Sequence, residues 1–273
     1  WVPIDKWIHE FLTFNGDPRQ KPYVTSQYLD TQNWISRHEH PRRLLLMNRK
    51  EFVAQGQFGR ICPVQTPEGP NVGRVLAVSR GAVIEAGRLK ILDESPEAGL
   101  SLTAAMIPFL ECNEPTRALM GTNMIRQWHE SRSPEPALVQ TGNEPDEPGF
   151  WNGRNLLTAF MSLGESTFED GIVISESASR RLNYEGVIEP GDKISNRHGT
   201  KGVISQVLPD REMPHLQDGT PVDLVYSFIG QHTRMNFGQL KEAVLGRIAR
   251  SRGEYLSSRP FQGFNDKAMK QML

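Results

Sequence analysis

The sequence has few cysteines and no long apolar run. Its 273 residues include two cysteines, Cys62 and Cys112, which lie far apart and do not form a C-x-x-C pair. This pattern excludes a zinc ribbon and makes a disulfide framework unexpected, so a reducing compartment such as the cytoplasm is favoured. No stretch is apolar enough to predict a transmembrane helix, and the first residues do not resemble a signal peptide.

The chain also lacks an excess of charge of either sign. Lysine and arginine total 31 against 32 aspartates and glutamates, a formal net charge of −1. Free-standing nucleic-acid-binding proteins usually carry a marked basic excess, and the balance argues against that class. Any contact with nucleic acid must therefore come from local patches or from a groove shared with another chain.

Glycine and proline, in contrast, are plentiful. The 24 glycines and 19 prolines imply many turns and short elements, which favours a β-rich or mixed fold over a helical bundle. A β-hairpin is predicted at 74–92 with its turn at Arg80-Gly81, and the four prolines of 132–150 predict a linker. Short strands are predicted at 155–162, 171–175, 202–208 and 222–228, and helices at 115–129 and 236–250. This mixture predicts a small barrel with helical appendages.

The segment 191–202 combines two lysines with three glycines. Lys193 and Lys201 are eight residues apart, an even spacing that places two side chains on one face of a strand, while Gly199 favours a turn that brings the ammonium groups together. Such a group of cations suits concentrated negative charge, for example a triphosphate or the 3′ end of an RNA. The pattern does not match a P-loop, and on charge alone a solvated basic turn is an open alternative.

The lysine segment belongs to an ordered series of short blocks. They occupy 59–63, 66–73, 117–127, 168–176, 191–202, 213–214, 218–223 and 234–239. In residues and order they resemble the β (second-largest) subunit of multisubunit DNA-dependent RNA polymerases, from about residue 22 to Leu273. The flap, the terminal lobes and the clamp segments of that family have no counterpart here.

The resemblance implies a mixed, mainly β fold built on a double-psi β-barrel with a fork and drug-pocket region and helical appendages. The implied domains are a fork-like and rifamycin-pocket-like region at 1–110, the barrel at 111–235 and a C-terminal helical segment at 236–273. Within the barrel region, the linker at 132–150 stands where the family carries a large insert. The family setting implies the cytoplasm of a bacterium or of a phage-infected bacterial cell.

The resemblance further implies a component of the nucleotidyl-transfer site, a DNA-directed RNA polymerase part that is inactive alone. Lys193 and Lys201 are expected to neutralise the RNA 3′ end and the incoming phosphates, and Glu169 and Asp170 to lie near a second metal through water. The implied substrate-binding set comprises Pro67, Glu68, Asn71, Arg117, Asn123, Arg126, Arg197 and His198. Mg²⁺ is expected on the aspartate triad of a β′-like partner, because no such motif occurs in this chain.

The other implied partners are a DNA template, an RNA transcript and nucleoside triphosphates, with further β fragments on separate chains as an option and no membrane. Residues 26–47 resemble the segment that lines the rifamycin pocket, where Gln27, Asp30, His40 and Arg43 match expected drug contacts. Leu45 stands where a serine hydroxyl is typical, which predicts weak or absent rifamycin binding.

Several alternatives stay open at the level of sequence. Glu169 and Asp170 could pair with nearby arginines, and Arg117 and Arg126, nine residues apart on a predicted helix, are expected to share a face and could serve packing. His198 is expected to be a hydrogen-bonding spacer rather than a base. The alternative function is a non-catalytic double-psi β-barrel module that regulates or mimics RNA polymerase, which the missing flap and clamp favour.

Overall fold

The computed structural model describes residues 4–5, 28–46, 54–263 and 266–272. The strands are short and are β1 (Arg43–Leu45), β2 (Val75–Ala77), β3 (Ala82–Glu85), β4 (Arg88–Ile91), β5 (Val139–Gln140), β6 (Thr158–Phe160), β7 (Gly171–Ser175), β8 (Lys193–Ser195), β9 (Lys201–Leu208), β10 (Leu224–Tyr226) and β11 (Leu256–Ser257). The α-helices are α1 (Trp34–Glu39), α2 (Pro115–Ile125), α3 (Glu176–Arg181), α4 (Phe228–Thr233), α5 (Phe237–Arg252) and α6 (Asp266–Met272).

The largest sheet has five strands in the order β6-β10-β7-β9-β8. Strand β7 is central and apolar, and its alternating side chains enter two different clusters. Ile172 and Ile174 pack with Ile204 and Tyr226 on one face, whereas Val173 packs with Met213 and Val222 on the other. Because both faces are covered, the β7 strand and its neighbours form a fixed platform for the β8–β9 hairpin at one edge.

The sequence predicts four strands of the large sheet and the two longest helices correctly. Each of the four strand segments after residue 150 contains a strand of the large sheet, β6, β7, β9 or β10. Helix α2 begins with Pro115 in its first turn, where a missing N–H costs nothing, and ends at Ile125, four residues before the predicted end. Helix α5 runs two residues past its predicted end and stops at Gly253, which adopts a left-handed conformation.

The predicted hairpin across Arg80-Gly81 is wrong. Strand β2 pairs with β1, and β3 pairs with β4 across a turn in which Ala86 and Gly87 both have positive φ, 48° and 73°. Two positive φ angles give the turn twist that suits a tight hairpin. Gly81 has a different reason to be glycine, since a Cβ there would lie 2.7 Å from the carbonyl oxygen of Asp93.

The predicted linker at 132–150 is largely irregular, but it is fixed to the fold. Its strand β5 pairs in parallel with β11, which follows α5, and Val139 is buried against Leu245 of that helix. Among the described residues, no helix is long and apolar enough to cross a membrane.

The fold class is mixed α/β, with helices and strands of comparable extent, so the prediction of a mainly β chain is corrected. The five-stranded sheet is open: β6 and β8 lie at its edges and do not pair with each other. A closed double-psi barrel is not confirmed within the part of the chain that the structure describes.

Candidate functional site

The predicted turn between the two lysines is confirmed. Strands β8 and β9 are antiparallel, with Lys193 opposite Val203 and Ser195 opposite Lys201. Residues opposite each other in an antiparallel pair share a face, so the two lysines lie on one face as diagonal neighbours, about 7–8 Å apart at the backbone. The shared face arises from a hairpin rather than from one continuous strand.

Both lysines border a cleft of about 1430 Å³ between the sheet, α2 and α5. Lys193 is exposed and Lys201 is half-buried. Across the described ranges, neither ammonium group forms an ion pair with a carboxylate of this chain. The cleft therefore carries two adjacent cations whose charge is available to an anion entering from outside.

Two glycines bring α2 into backbone contact with the turn between β8 and β9, residues 196–200, which we call the lysine turn. Gly199 has φ +76°, and a Cβ on it would lie 2.2 Å from the carbonyl oxygen of Arg117. A Cβ on Gly121 would lie 2.3 Å from the carbonyl oxygen of Arg197. Because no side chain fits at either position, the distance between helix and turn is set by the two backbones.

Arg197 and His198, predicted to contact substrate, are instead engaged by groups of the protein. Arg197 forms an ion pair with Glu242 of α5 and donates to the carbonyl of Val139 at 2.8 Å. His198 is fully buried between Glu242 and the side chain of Asn113. Burial alone would raise the pKa of Glu242, but Arg197 and His198 lower it to about 2. The enclosure of His198 leaves it no direct route to a substrate in this conformation.

Asp170 forms an ion pair with an arginine, as one of the alternatives left open by the sequence predicts. Arg234 donates to both of its carboxylate oxygens, Nη2 to Oδ2 at 3.0 Å, and the hydroxyl of Tyr226 donates to Oδ1 at 3.2 Å. The hydrogen bonds from Arg234 lower the pKa of Asp170, and the positive charge of Arg117 adds to this. Burial, followed by the charge of Asp170, raises the pKa of Tyr226 to about 12.

Glu169, the neighbour of Asp170, is exposed and has φ +51°, a left-handed conformation that is uncommon outside glycine. The described residues contain no group of three or more histidines, cysteines, aspartates or glutamates that could hold a metal ion. In the described part of the chain, the Glu169 side chain thus lies exposed to solvent and no complete metal site is formed.

Five residues of the predicted substrate-binding set border the same cleft as the lysines: Pro67, Glu68, Asn123, Arg126 and Arg197. Asn123 links the loop that contains Pro67 and Glu68 to the end of α2. Its Nδ2 donates to the carbonyl of Thr66 at 2.9 Å, and its Oδ1 accepts from Arg126 at 2.5 Å. Asn71 lies in the exposed turn that follows Glu68. Arg117 lies at the start of α2, beside the lysine turn.

The expectation that Arg117 and Arg126 share a helix face is wrong. Nine residues are about two and a half helical turns, which places them on opposite sides. Arg117 acts electrostatically on Asp170, whereas Arg126 lies near Glu39 and Arg43. Burial, and then the charge of Arg43, lowers the pKa of Arg126, while burial raises that of Glu39.

The drug-pocket-like residues form a small polar cluster. Arg43 pairs with Asp30 at 3.3 Å, and the backbone N–H of Asp30 donates to Nδ1 of His40 at 2.8 Å. Leu45 is 65% exposed at the end of β1. Gln27 lies outside the described residues.

Sequence reasoning missed Arg234 and Glu242 as parts of the site. Both belong to the chain around α5, and Arg234 falls inside one of the blocks, but the sequence pattern predicts no role for either residue. Their partners lie 64 and 44 residues away in sequence. The sequence shows only that these residues carry charges opposite to those of Asp170 and Arg197. Opposite charge alone does not identify which of many distant residues is the partner.

Two protein-family models match the chain. The model described as RNA polymerase Rpb2, domain 6, matches residues 181–273, and that described as RNA polymerase Rpb2, domain 3, matches residues 27–84. Together they cover more than half of the chain. The first match includes the β8–β9 hairpin, Arg234 and Glu242, and the second includes the drug-pocket-like cluster.

Curated relatives named "DNA-directed RNA polymerase subunit beta" are also similar. The protein of Mycoplasma mycoides subsp. mycoides SC is 44% identical over 86 residues, 32% of this chain and 7% of the relative. That of Spiroplasma citri is 34% identical over 121 residues, 44% of this chain and 9% of the relative. That of Deinococcus radiodurans is 43% identical over 86 residues, 32% and 7% of the two chains. The matched region spans less than a tenth of each of these relatives.

Proposed function

We propose that this chain, a partial β-like subunit of the RNA polymerase family, supplies Lys193 and Lys201 to a nucleotidyl-transfer site that a β′-like partner completes. The observation that carries the proposal is the placement of both lysines on one face of the β8–β9 hairpin, bordering the cleft and without an ion pair in the described part of the chain. A purely structural basic turn would be expected to pair at least one of them.

Nucleotidyl transfer depends mainly on positioning and on neutralising charge that develops on phosphate oxygens. The two ammonium groups are placed to bind the RNA 3′ end and the phosphates of the incoming nucleotide. A preorganised donor of this kind stabilises a transition state by about 3 kcal/mol. Pro67, Glu68, Asn123 and Arg126 border the same cleft and form a second contact surface for the nucleotide, with Asn71 and Arg117 at its margins.

Mg²⁺, when bound, would supply Lewis-acid activation of the phosphate groups. The described residues do not fit a resident metal site, since both oxygens of Asp170 are taken by Arg234. Metal ligation is therefore assigned to the aspartates of the partner, and Glu169 to an outer contact through water. Arg197 and His198 shape the lysine turn in this scheme.

The proposed partners are a β′-like chain, a DNA template, an RNA transcript and nucleoside triphosphates, in the cytoplasm of a bacterium or a phage-infected bacterial cell. Since the matched relatives are much longer, further β fragments on separate chains are part of the proposal. Within this assignment the sheet belongs to a double-psi barrel, and the parallel pairs β6–β10 and β7–β9 support that arrangement.

The test is purification of the complex from the native source, followed by reconstitution with variants. We expect a chain that bears an aspartate triad to copurify. Lys193→Ala and Lys201→Ala should each reduce elongation about 100-fold. Lys90→Ala is the matched control, because Lys90 is exposed on β4 and pairs with Glu85 there. Near-normal elongation by either cleft variant would contradict the proposal.

A non-catalytic regulatory module remains the second candidate. The engagement of both Asp170 oxygens by Arg234 favours it, because that carboxylate is then withdrawn from metal chemistry. In that case the chain would copurify with a polymerase, and elongation would be unchanged when both lysines are replaced.

A further inference from the structure

The lysine turn is fastened to one face of α5. Thr200 donates its hydroxyl to Oε1 of Gln239 at 2.6 Å and accepts from Nδ2 of Asn236 at 2.8 Å. Glu242, three residues after Gln239 and therefore on the same helix face, receives Arg197 and His198. Each end of the turn is thus tied to the same stretch of helix.

Glu242 divides its carboxylate between two consecutive residues of the turn. Oε1 accepts from Arg197 and Oε2 accepts from His198. The Arg197 side chain is 12% exposed and that of His198 is fully buried, so water cannot easily replace these contacts. A carboxylate that orders two side chains at once fixes the direction of the backbone between them.

Backbone geometry fixes which nitrogen of His198 carries the proton. The N–H of Gly238 donates to Oδ1 of Asn113 at 3.0 Å, so the amide nitrogen of Asn113 faces Nδ1 of His198, also at 3.0 Å. An amide nitrogen only donates, and Nδ1 must then accept. The proton lies on Nε2, which donates to Glu242. Gly238 permits this approach, because a Cβ would lie 2.6 Å from Asn113 Oδ1.

The held residues lie between the two lysines. Arg197 follows Lys193 by four residues, and His198 precedes Lys201 by three. Moving the centre of the turn would move both strand ends that carry the ammonium groups. None of the contacts of Glu242 involves the lysine side chains themselves, so its influence on them passes through the turn.

We propose that Glu242 is a positioning residue that aligns Lys193 and Lys201 by gripping Arg197 and His198 against α5. This inference rests on the function proposed above. Through these contacts α5 supports the two lysines. The charge of Arg197 is balanced by Glu242 rather than by the incoming anion. Loss of the grip displaces the lysines without removing them.

The experiment uses the reconstituted complex with Glu242→Gln, Lys201→Ala and the double variant. Glu242→Gln should lower kcat for nucleotide addition about 10- to 100-fold, the effect of a misplacement of about 1 Å. Because Glu242 acts through both lysines, and only Lys193 is left to displace in the Lys201→Ala background, the double variant should lose less activity than the product of the two single losses. Multiplicative losses in the double variant would overturn the inference.

Two further variants and one independent measurement complete the test. Glu254→Gln removes an exposed carboxylate that pairs with Arg252 just beyond the other end of α5, and it should leave kcat unchanged. Gln239→Ala removes the second tie without unbalancing a buried charge, and it should lower kcat about fivefold, as expected for one hydrogen bond. This variant answers the question if Glu242→Gln folds poorly.

Amide hydrogen exchange separates the inference from the function on which it rests. In Glu242→Gln the N–H groups of His198 and Thr200, which donate to Oδ1 of Asn196, should exchange at least tenfold faster than in the unmodified chain. Unchanged exchange with unchanged kcat would refute the positioning role alone. Normal elongation by Lys201→Ala would instead refute the proposed function, whatever the exchange result.

Discussion

Asp170 and Arg234, 64 residues apart in sequence, meet through both oxygens of the carboxylate, with Nη2 to Oδ2 at 3.0 Å. The pair joins the start of β7 to the turn that precedes α5. The pair also distinguishes two neighbouring acidic residues. The Asp170 carboxylate is held by Arg234, whereas the Glu169 side chain is exposed to solvent and can contact another molecule.

Replacing Arg234 should raise the pKa of Asp170. The hydrogen bonds from Arg234 are the largest cause of its lowered pKa, so Arg234→Ala should return it towards its ordinary value. Carboxyl ¹³C NMR titration measures this directly. Arg211→Ala is the control, since Arg211 is exposed and pairs with the adjacent Glu212, and it should leave the titration of Asp170 unchanged.

The stability of the chain should depend on the ionisation of Glu242. Its pKa is about 2 in the folded chain against an ordinary value of 4.5, so its stabilising contribution is present above pH 4.5 and is lost as the pH falls towards 2. Glu242→Gln should lower the free energy of unfolding at pH 7 by about 3 kcal/mol.

Urea denaturation at pH 7, 4 and 3 checks this prediction. The difference between the unmodified chain and Glu242→Gln should shrink steadily from pH 4.5 downwards. A difference that stays constant over that range would show that the carboxylate is not the titrating group.

Glycine at position 199 should be essential for stability. An alanine Cβ would lie 2.2 Å from the carbonyl oxygen of Arg117, in a residue with φ +76°. Gly199→Ala should therefore lower the free energy of unfolding by about 3 kcal/mol. Gly186→Ala, where a Cβ meets no atom within 4 Å, should change it by less than about 0.5 kcal/mol. Thermal or urea unfolding distinguishes the two.

Rifamycin should bind weakly or not at all. Leu45 is 65% exposed on β1, where it adds apolar bulk and offers no hydroxyl to the drug, although Asp30 and Arg43 are present and pair with each other. Isothermal titration of the assembled complex measures the Kd. A Kd of roughly micromolar or tighter would contradict the prediction, and Leu45→Ser should tighten binding relative to the unmodified complex.

The sequence was informative wherever the signal is local. Alternating and apolar runs located four of the five strands of the large sheet, and Pro115 marked the start of α2. The misplaced hairpin shows the limit, because Arg80-Gly81 carries glycine for close packing and the actual turn uses Ala86 in a left-handed conformation, which no propensity predicts.

In the candidate site, too, local features could be predicted from the sequence and contacts between distant residues could not. The shared face of Lys193 and Lys201 follows from spacing and one glycine, and it could be predicted. The partners of the neighbouring residues could not, because Glu242 reaches Arg197 and His198 only after α5 packs against the hairpin. The roles assigned to the individual site residues stay predictions that the kinetic variants test.

The linker between α2 and β6 has a practical consequence for engineering. Its first part is clamped: Val139 accepts from Arg197, and β5 pairs with β11. Near its end, Gly149 has φ +80° and no atom close to its missing side chain. A compact reporter domain inserted between Pro148 and Gly149 should therefore be tolerated, giving a fluorescently tagged subunit in which the lysine hairpin keeps its support.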